Sequence, residues 1–407
     1  MTLRLSPNEN PINSILFVGF NQNNECFSVG LNNGFRIYNL DPLKEYMRSR
    51  KSYAKIFPDF DNSNCGGVGY VEMLFRTSFV GILGGGKRPV IPTTKFNLWE
   101  GDIRNFILQM NFKSEIKAIK LKSDRIIIVF KNSISVYTFG NKPELLYSAE
   151  TFENPLGIIA VCQSKTNPII AYPSMTKGAV IIAHVVQNSS LKNSNPQNRP
   201  PPRCIAAHEN ALVALSLNDS GTLLATASSR GTLIRIFDTK SCEIQYFLRR
   251  GSYLASITNI CFNSTSNLIC ATSDHCTIHI FDLNSSSNTD SPHKEAETTG
   301  CSSSSSIGCI GYQHANSPSS LQKTIVLSAS NFLPNYFSPV KVITSCVRIH
   351  LDHSHKSICA FSPHEVDTII ALSANGSYTK YSFSLTKGTF SRLINVNFLD
   401  YSDDMDT

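Results

Sequence analysis

The sequence predicts an all-β fold, a closed ring of repeated small sheets, and three observations predict it. Helical periodicity is almost absent: no long window carries apolar residues at ~3.6-residue spacing. Short β-branched and aromatic runs alternate instead with Gly, Asn, Asp and Ser turns. One segment then repeats, "LLATASSRGTLIRIFD" (Leu223 to Asp238) against "LICATSDHCTIHIFD" (Leu268 to Asp282). Each reads as strand, polar turn and strand, closing on Ile-Phe-Asp, with the closing aspartates about one propeller-blade length apart.

Taken in chain order, that template finds weaker copies. "CFSVGLNNGFRIYNL" (Cys26 to Leu40) has both strands and the turn. "TSFVGILGGGKRPVIPTTKFNLW" (Thr77 to Trp99) carries a longer turn, and "RIIIVFKNSISVYTF" (Arg125 to Phe139) a short one. "NPIIAYPSMTKGAVIIAHV" (Asn167 to Val185) precedes the clear pair, and "IIALSANGSYTKYSF" (Ile369 to Phe383) ends the series. Seven copies at ~40–60 residue spacing, the last displaced by an insert, fit a seven-bladed β-propeller of divergent WD40-type repeats. A lone blade cannot bury its two faces, so the ring exists because each sheet packs on its neighbours. The usual Trp-Asp ending is replaced by Phe-Asp or Tyr. The expected organisation is a single propeller over residues 1–407 with two interruptions. Residues 187–203 read as a polar, proline-rich connection between two blades. Residues 284–340 read as a long flexible loop of blade 6, serine-rich at first and closing on the apolar "NFLPNYF" (Asn331 to Phe337).

Composition bounds the function. The chain of 407 residues is 41% hydrophobic and 16% charged, with formal net charge +7. A mild positive excess favours anionic partners such as phosphates or acidic lipid surfaces, without choosing among them. The opening "MTLRLSPNEN" lacks a signal-peptide core, and no apolar run reaches the ~20 residues that span a bilayer. A cytoplasmic protein with only peripheral membrane contact is expected. The twelve cysteines fall mostly inside β-like runs (Cys26, Cys162, Cys261, Cys270, Cys359) without paired spacing, which reads as buried free thiols. Cys270, Cys276, His275 and His279 would be scattered over both faces of a sheet, so no metal site is expected.

Enzymatic chemistry finds no support. "GILGGGKR" (Gly81 to Arg88) follows phosphate-loop spacing until Arg88 stands where a magnesium-binding Ser or Thr belongs. A glycine-rich turn between strands is the better reading. No nucleophile elbow, paired catalytic carboxylates or metal-binding helix follows elsewhere, and no cofactor is implied. Nor is there a basic stripe with interleaved aromatics for nucleic acid.

One feature asks for an explanation: Arg249 and Arg250 lie side by side where the apolar run "YFL" stops. Successive side chains on a strand point to opposite faces, so the two cannot share a pocket but can serve one on each side. Polar groups flank the pair in both repeats. His208, Ser228, Ser229, Arg230, Thr232 and Arg235 precede it; Ser252, Thr272, Ser273, His275, Thr277 and His279 follow. Cationic forks with hydroxyl and imidazole donors suit phosphate. A solvated blade edge with ordinary ion pairs is the other reading of the same residues.

"FLRRGS" between "TASSRGTLIRIFDT" and "TSDHCTIHIFD" resembles the PROPPIN family. These are seven-bladed propellers that bind phosphoinositides, also called WD-repeat proteins interacting with phosphoinositides. "GFRIYNLDPL", "FVGILGGGKRP", "EIKAIKLKSDRIIIV", "NPLGI", "AYPS", "AHENALVALSLNDSGTLLATAS", "FLPNYF" and "ANGSYTKYSF" follow in family order and look closest to the subgroup of the mammalian third and fourth members. The resemblance implies two headgroup sites for phosphatidylinositol 3-phosphate and the 3,5-bisphosphate. The first would use His208, Ser228, Arg230, Thr232, Arg235 and Arg249. The second would use Arg250, Ser252, Thr272, Ser273, His275, Thr277 and His279, with Cys276 where the family has glycine. It also implies that a blade 6 loop enters the bilayer, here through Phe332, Leu333, Tyr336 and Phe337; packing on a neighbouring blade is the alternative for those four. The implied role is a monomeric, non-enzymatic autophagy or trafficking adaptor on phagophore or endosomal membranes, bridging to lipid-transfer or conjugation factors. "KFNLWEGDIRNF" (Lys95 to Phe106) is the candidate partner contact. The rival is a protein-interaction scaffold that ignores lipid.

Overall fold

The computed structural model describes residues 2–5, 15–48, 66–89, 91–185, 200–285, 340–352 and 354–400. Among them every regular element is a strand, and the strands form seven sheets. Each of the seven copies read from the sequence supplies the second and third strands of one blade. In blade 5 these are Leu223–Ser228 and Leu233–Asp238; in blade 6, Leu268–Ser273 and Thr277–Asp282. The repeat is legible there because those strands are sandwiched: Leu268–Ser273 is buried along its whole length. Fourth strands lie toward the outside, and their pattern thins to one half-buried face, as in Asn105–Asn111 of blade 2.

Apolar clusters occupy the clefts between blades. One runs from blade 1 to blade 4 through Phe17, Phe96, Ile128 and Tyr172. Another joins blades 6, 7 and 1. Blade 5 is wedged between two smaller clusters, Leu224 and Phe237 on its blade 4 side and Ile234 and Leu248 on its blade 6 side. Among the described residues the ring closes by packing, without exchange of a strand between the first and last blades. Phe398, after the last strand of blade 7, sits edge-on to Phe27, which stacks on Tyr38 with centroids 4.8 Å apart. Tyr378 Oη donates to the carbonyl of Leu40 at 2.9 Å, and the buried Lys380 ammonium binds Asp41 at 2.6 Å and Glu365 at 2.9 Å. A buried ammonium is tolerable only with such pairing.

Three features depart from the sequence reading. Residues 187–203 do not link two blades: Arg203–Ile205 pairs with Val180–His184 as the fourth strand of blade 4. The proline-rich stretch therefore lies within that blade, between its third and fourth strands. The 284–340 segment occupies the equivalent place in blade 6, between Thr277–Asp282 and Val347–His350. Both stretches precede an outermost strand in the chain, a position where added length is generally tolerated. Thr2–Arg4 adds a fifth strand to the inner edge of blade 1, pairing with Phe17–Gly19. Lys341–Thr344 adds a fifth to the outer edge of blade 5, beside Ile244–Arg249, with Ile343 buried in the cluster there. Phe332, Leu333, Tyr336 and Phe337 lie outside the described residues. No helix among the described residues is long and apolar enough to cross a membrane, which says nothing of strands.

Candidate functional site: two recesses beside one strand

Arg249 closes the fourth strand of blade 5, Ile244–Arg249, and Arg250 follows at once. Register decides where each points. Leu248 pairs with Ile234, Phe247 with Arg235 and Arg249 with Leu233. Paired residues share a face. Ile234 and Leu248 lie in the blade 5–6 cluster, whereas Arg235 reaches back to donate from Nη1 to the Ala207 carbonyl at 2.6 Å, beyond the last strand of blade 4. Arg249 thus shares the blade 4 side with Phe247, and Arg250 falls on the blade 6 side. Arg249 is exposed; Arg250 is only 7% exposed.

The blade 4–5 recess gathers His208, Ser228, Arg235 and Arg249. The Arg235 guanidinium lies over the Phe247 ring, 5.7 Å from its centroid, and its Nε has no partner among the described residues. His208 Nε2 sits 2.9 Å from Thr226 Oγ1. Burial, helped by the nearby Arg235 charge, pushes the His208 imidazole down to about 4, so it is neutral at neutral pH. Ser228 is buried two residues beyond Thr226, on the same face. Arg230 is exposed at the turn tip, and the Thr232 carbonyl receives the Arg250 N–H at 3.0 Å. Gly231 between them has φ +62°, and a Cβ there would stand 1.7 Å from the Ala255 oxygen, so only glycine fits.

The blade 5–6 recess is built by Arg250, Ser273, Thr277 and His279. Arg250 Nε donates to the Gly231 carbonyl at 2.6 Å, and Nη2 to that of Tyr253, which fixes the guanidinium plane. Ala271 pairs with His279, placing Ser273, Thr277 and His279 on the face turned to blade 5. Ser273 Oγ is buried without a partner among the described residues. Arg348 Nε donates to Ser345 Oγ at 2.8 Å, and that hydroxyl lies 3.3 Å from His279 Nδ1. Burial, then the charges of Arg250, Arg348 and His350, push His279 down to about 4. His350 Nδ1 lies 3.3 Å from Thr277 Oγ1.

Not every predicted residue joins. Thr272 pairs with Ile278 on the opposite face, where its hydroxyl meets Thr258 at 2.8 Å and the Ser357 carbonyl of blade 7 at 3.1 Å. It is outside the recess because adjacent strand residues alternate. Ser252 and His275 are exposed on turns. Cys276 has φ +53°, the left-handed turn that glycine would take, and its sulfur rests 3.7 Å from the His355 carbonyl on the blade 7 side. It does not fill the recess. Sequence reasoning missed Thr226, Phe247, Ser345, Arg348 and His350. The alternation in "VRIH" (Val347 to His350) was the available signal for two of them, obscured by the insertion just before it. Among the described residues no cluster of His, Cys, Asp and Glu is arranged to hold a metal.

The PROPPIN family model matches residues 14–312, most of the chain. The chain belongs to the PROPPIN family. Relatives of this PROPPIN include Autophagy-related protein 18 of Dictyostelium discoideum, 33% identical over 377 residues, 92% of this chain and 90% of that protein. SVP1-like protein 2 of Pichia angusta is 31% identical over 66% of this chain and 70% of its own length. Among solved structures, Kluyveromyces lactis Hsv2p aligns with TM-score 0.66 and 16% identity, covering 95% of this chain and 99% of that one. KlAtg21, solved in complex with the coiled-coil of AgAtg16, aligns with TM-score 0.62 and 21% identity over 94% and 98%. Both structures share the fold with this PROPPIN.

Proposed function

We propose that this PROPPIN is a non-enzymatic phosphoinositide effector of autophagy or endosomal trafficking, held on membranes bearing phosphatidylinositol 3-phosphate or the 3,5-bisphosphate. The observation that carries the reading is the divergence of Arg249 and Arg250 to opposite sides of one strand, each side holding a neutral imidazole (half-buried His208, buried His279) and a buried donor atom without a partner among the described residues. An anion supplies what those donors lack. His208, Ser228, Arg235 and Arg249, with Arg230 and Thr232 at the rim, form the first headgroup site. Arg250, Ser273, Thr277 and His279, with Ser252 and His275 at the rim, form the second; Thr272 is left out. Each basic residue near an anionic surface contributes ~1 kcal/mol, screened by salt. Two sites on one rigid body make the second capture intramolecular, worth ~10²–10⁴ in avidity. Phe332, Leu333, Tyr336 and Phe337 are the sequence-level candidates for added bilayer contact. Co-sedimentation across a phosphoinositide liposome panel tests the reading. Arg249→Ala with Arg250→Ala should abolish binding to 3-phosphorylated liposomes while the fold persists; unchanged co-sedimentation would refute it.

A scaffold role can accompany lipid binding. Ile103 and Ile107 are exposed at the outer edge of blade 2, within and just past the stretch Lys95 to Phe106. The KlAtg21 complex makes a coiled-coil protein a reasonable class of partner for this chain. Ile103→Asp with Ile107→Asp should then disrupt partner capture and leave liposome binding intact.

A further inference from the structure

We propose that Tyr253 and Leu254, on the short link from blade 5 to blade 6, insert into the interfacial region of an anionic bilayer; this rests on the membrane-recruitment reading above. The two side chains are 82% and 67% exposed, large and apolar, and adjacent in the chain. Single exposed apolar residues are ordinary, and this chain has several, such as Val366, Leu156 and Met175. The 253–254 pair differs in how it is held and in what surrounds it.

The link is pinned on both sides of its tip. Before it, the Arg250 guanidinium donates to the Tyr253 carbonyl. After it, the buried Ala255 sends its N–H to the Arg230 carbonyl at 3.4 Å. Ser256 N–H then donates to Asp274 Oδ1 at 2.9 Å, and Asp274 N–H returns a bond to the Ser256 carbonyl at 3.0 Å. A tip fixed at both ends presents its side chains to solvent without the ordering cost of a floppy loop.

The surroundings carry the charge argument. Arg249 lies just before the link, Arg230 and His275 are exposed on the turns that anchor it, and the nearby Asp274 carboxylate is engaged by Ser256. A phenol and an isobutyl group framed by guanidinium groups match a surface that is apolar beneath and anionic on top. Tyrosine is itself enriched at the level of lipid headgroups. The link borders the blade 5–6 side of the arginine pair, bonded to Arg250 before its tip and to Asp274 of blade 6 after it, so a headgroup captured there would bring the bilayer against it.

Fluorescence reads the insertion directly. The chain has one tryptophan, Trp99, buried in blade 2. In full-length protein carrying Tyr253→Trp, the new indole should shift to the blue on vesicles of phosphatidylcholine with 3-phosphorylated inositol lipid. Bromine on the lipid chains near the headgroup should quench it. Tyr253→Ser with Leu254→Ser should weaken vesicle binding at least ~10-fold, the equivalent of about 1.4 kcal/mol. Soluble inositol headgroup binding and the melting temperature should not move, since neither side chain is buried. Wild-type vesicle binding with no shift or quenching, or a double serine variant that binds vesicles as tightly as wild type, overturns the insertion alone. Absence of vesicle binding by the wild type overturns the recruitment reading and this inference together.

Discussion

Where blade 5 carries Arg235 on its third strand, blade 6 carries His279, and the residues paired with them on the fourth strands are Phe247 and Arg348. The repeat builds the same strand pair twice, yet the groups it carries have changed places. In the blade 4–5 recess the fixed cation is on the third strand, backed by an aromatic ring, and the imidazole comes from the connection after blade 4. In the blade 5–6 recess the imidazole is on the third strand, flanked by Arg250 from blade 5 and by Arg348 from blade 6's own fourth strand. The strand between them contributes differently too: Arg249 is exposed, whereas Arg250 is locked by two carbonyls. A repeat fixes the geometry of a site and leaves its chemistry open.

The largest separation between the recesses should appear in stability. Arg250→Ala leaves the Gly231 and Tyr253 carbonyls short of donors and should cost about 1–3 kcal/mol in urea denaturation. Arg249→Ala should fall within about 0.5 kcal/mol of wild type. Equal destabilisation by the two would mean that both guanidinium groups are structural.

Next in size is pH. His208 and His279 titrate near 4 when folded and near the ordinary ~6.5 when unfolded. The unfolded chain therefore takes up protons first as pH falls. Their contribution to stability is complete above ~6.5, is lost between ~6.5 and ~4, and changes no further below. At most it is about 3 kcal/mol each. Replacing both by asparagine should flatten the fall in melting temperature between pH 7 and 5; an unchanged slope would assign it to other groups.

The smallest effect concerns Cys276. A residue other than glycine in a left-handed turn costs about 1–2 kcal/mol, and glycine's greater unfolded freedom offsets about 0.5–1 of that. Cys276→Gly should stabilise by at most about 1.5 kcal/mol and leave headgroup binding as it was. Weakened binding would show that the turn's shape reaches the recess.

The sandwiched second and third strands were readable because burial on both faces demands continuous apolar runs, as in "RIIIVF" (Arg125 to Phe130). The short edge strands Thr2–Arg4 and Lys341–Thr344 were not, since three or four half-exposed residues carry no period. The proline-rich stretch was misplaced for the same reason: Arg203–Ile205, the strand that returns it to blade 4, is three residues long. At the recesses, chain neighbours of the arginine pair were legible. Partners delivered across a strand pair, such as Phe247 to Arg235 or Arg348 to His279, needed the register. Thr272 shows the converse, a fitting residue type turned away by alternation.

Isothermal titration with the soluble headgroup of phosphatidylinositol 3-phosphate puts the two-recess account to its most direct trial. Two molecules should bind per chain, one in each single-arginine variant and none in the double. A stoichiometry of one in the wild type, or loss of all binding on removing either arginine, would contradict it.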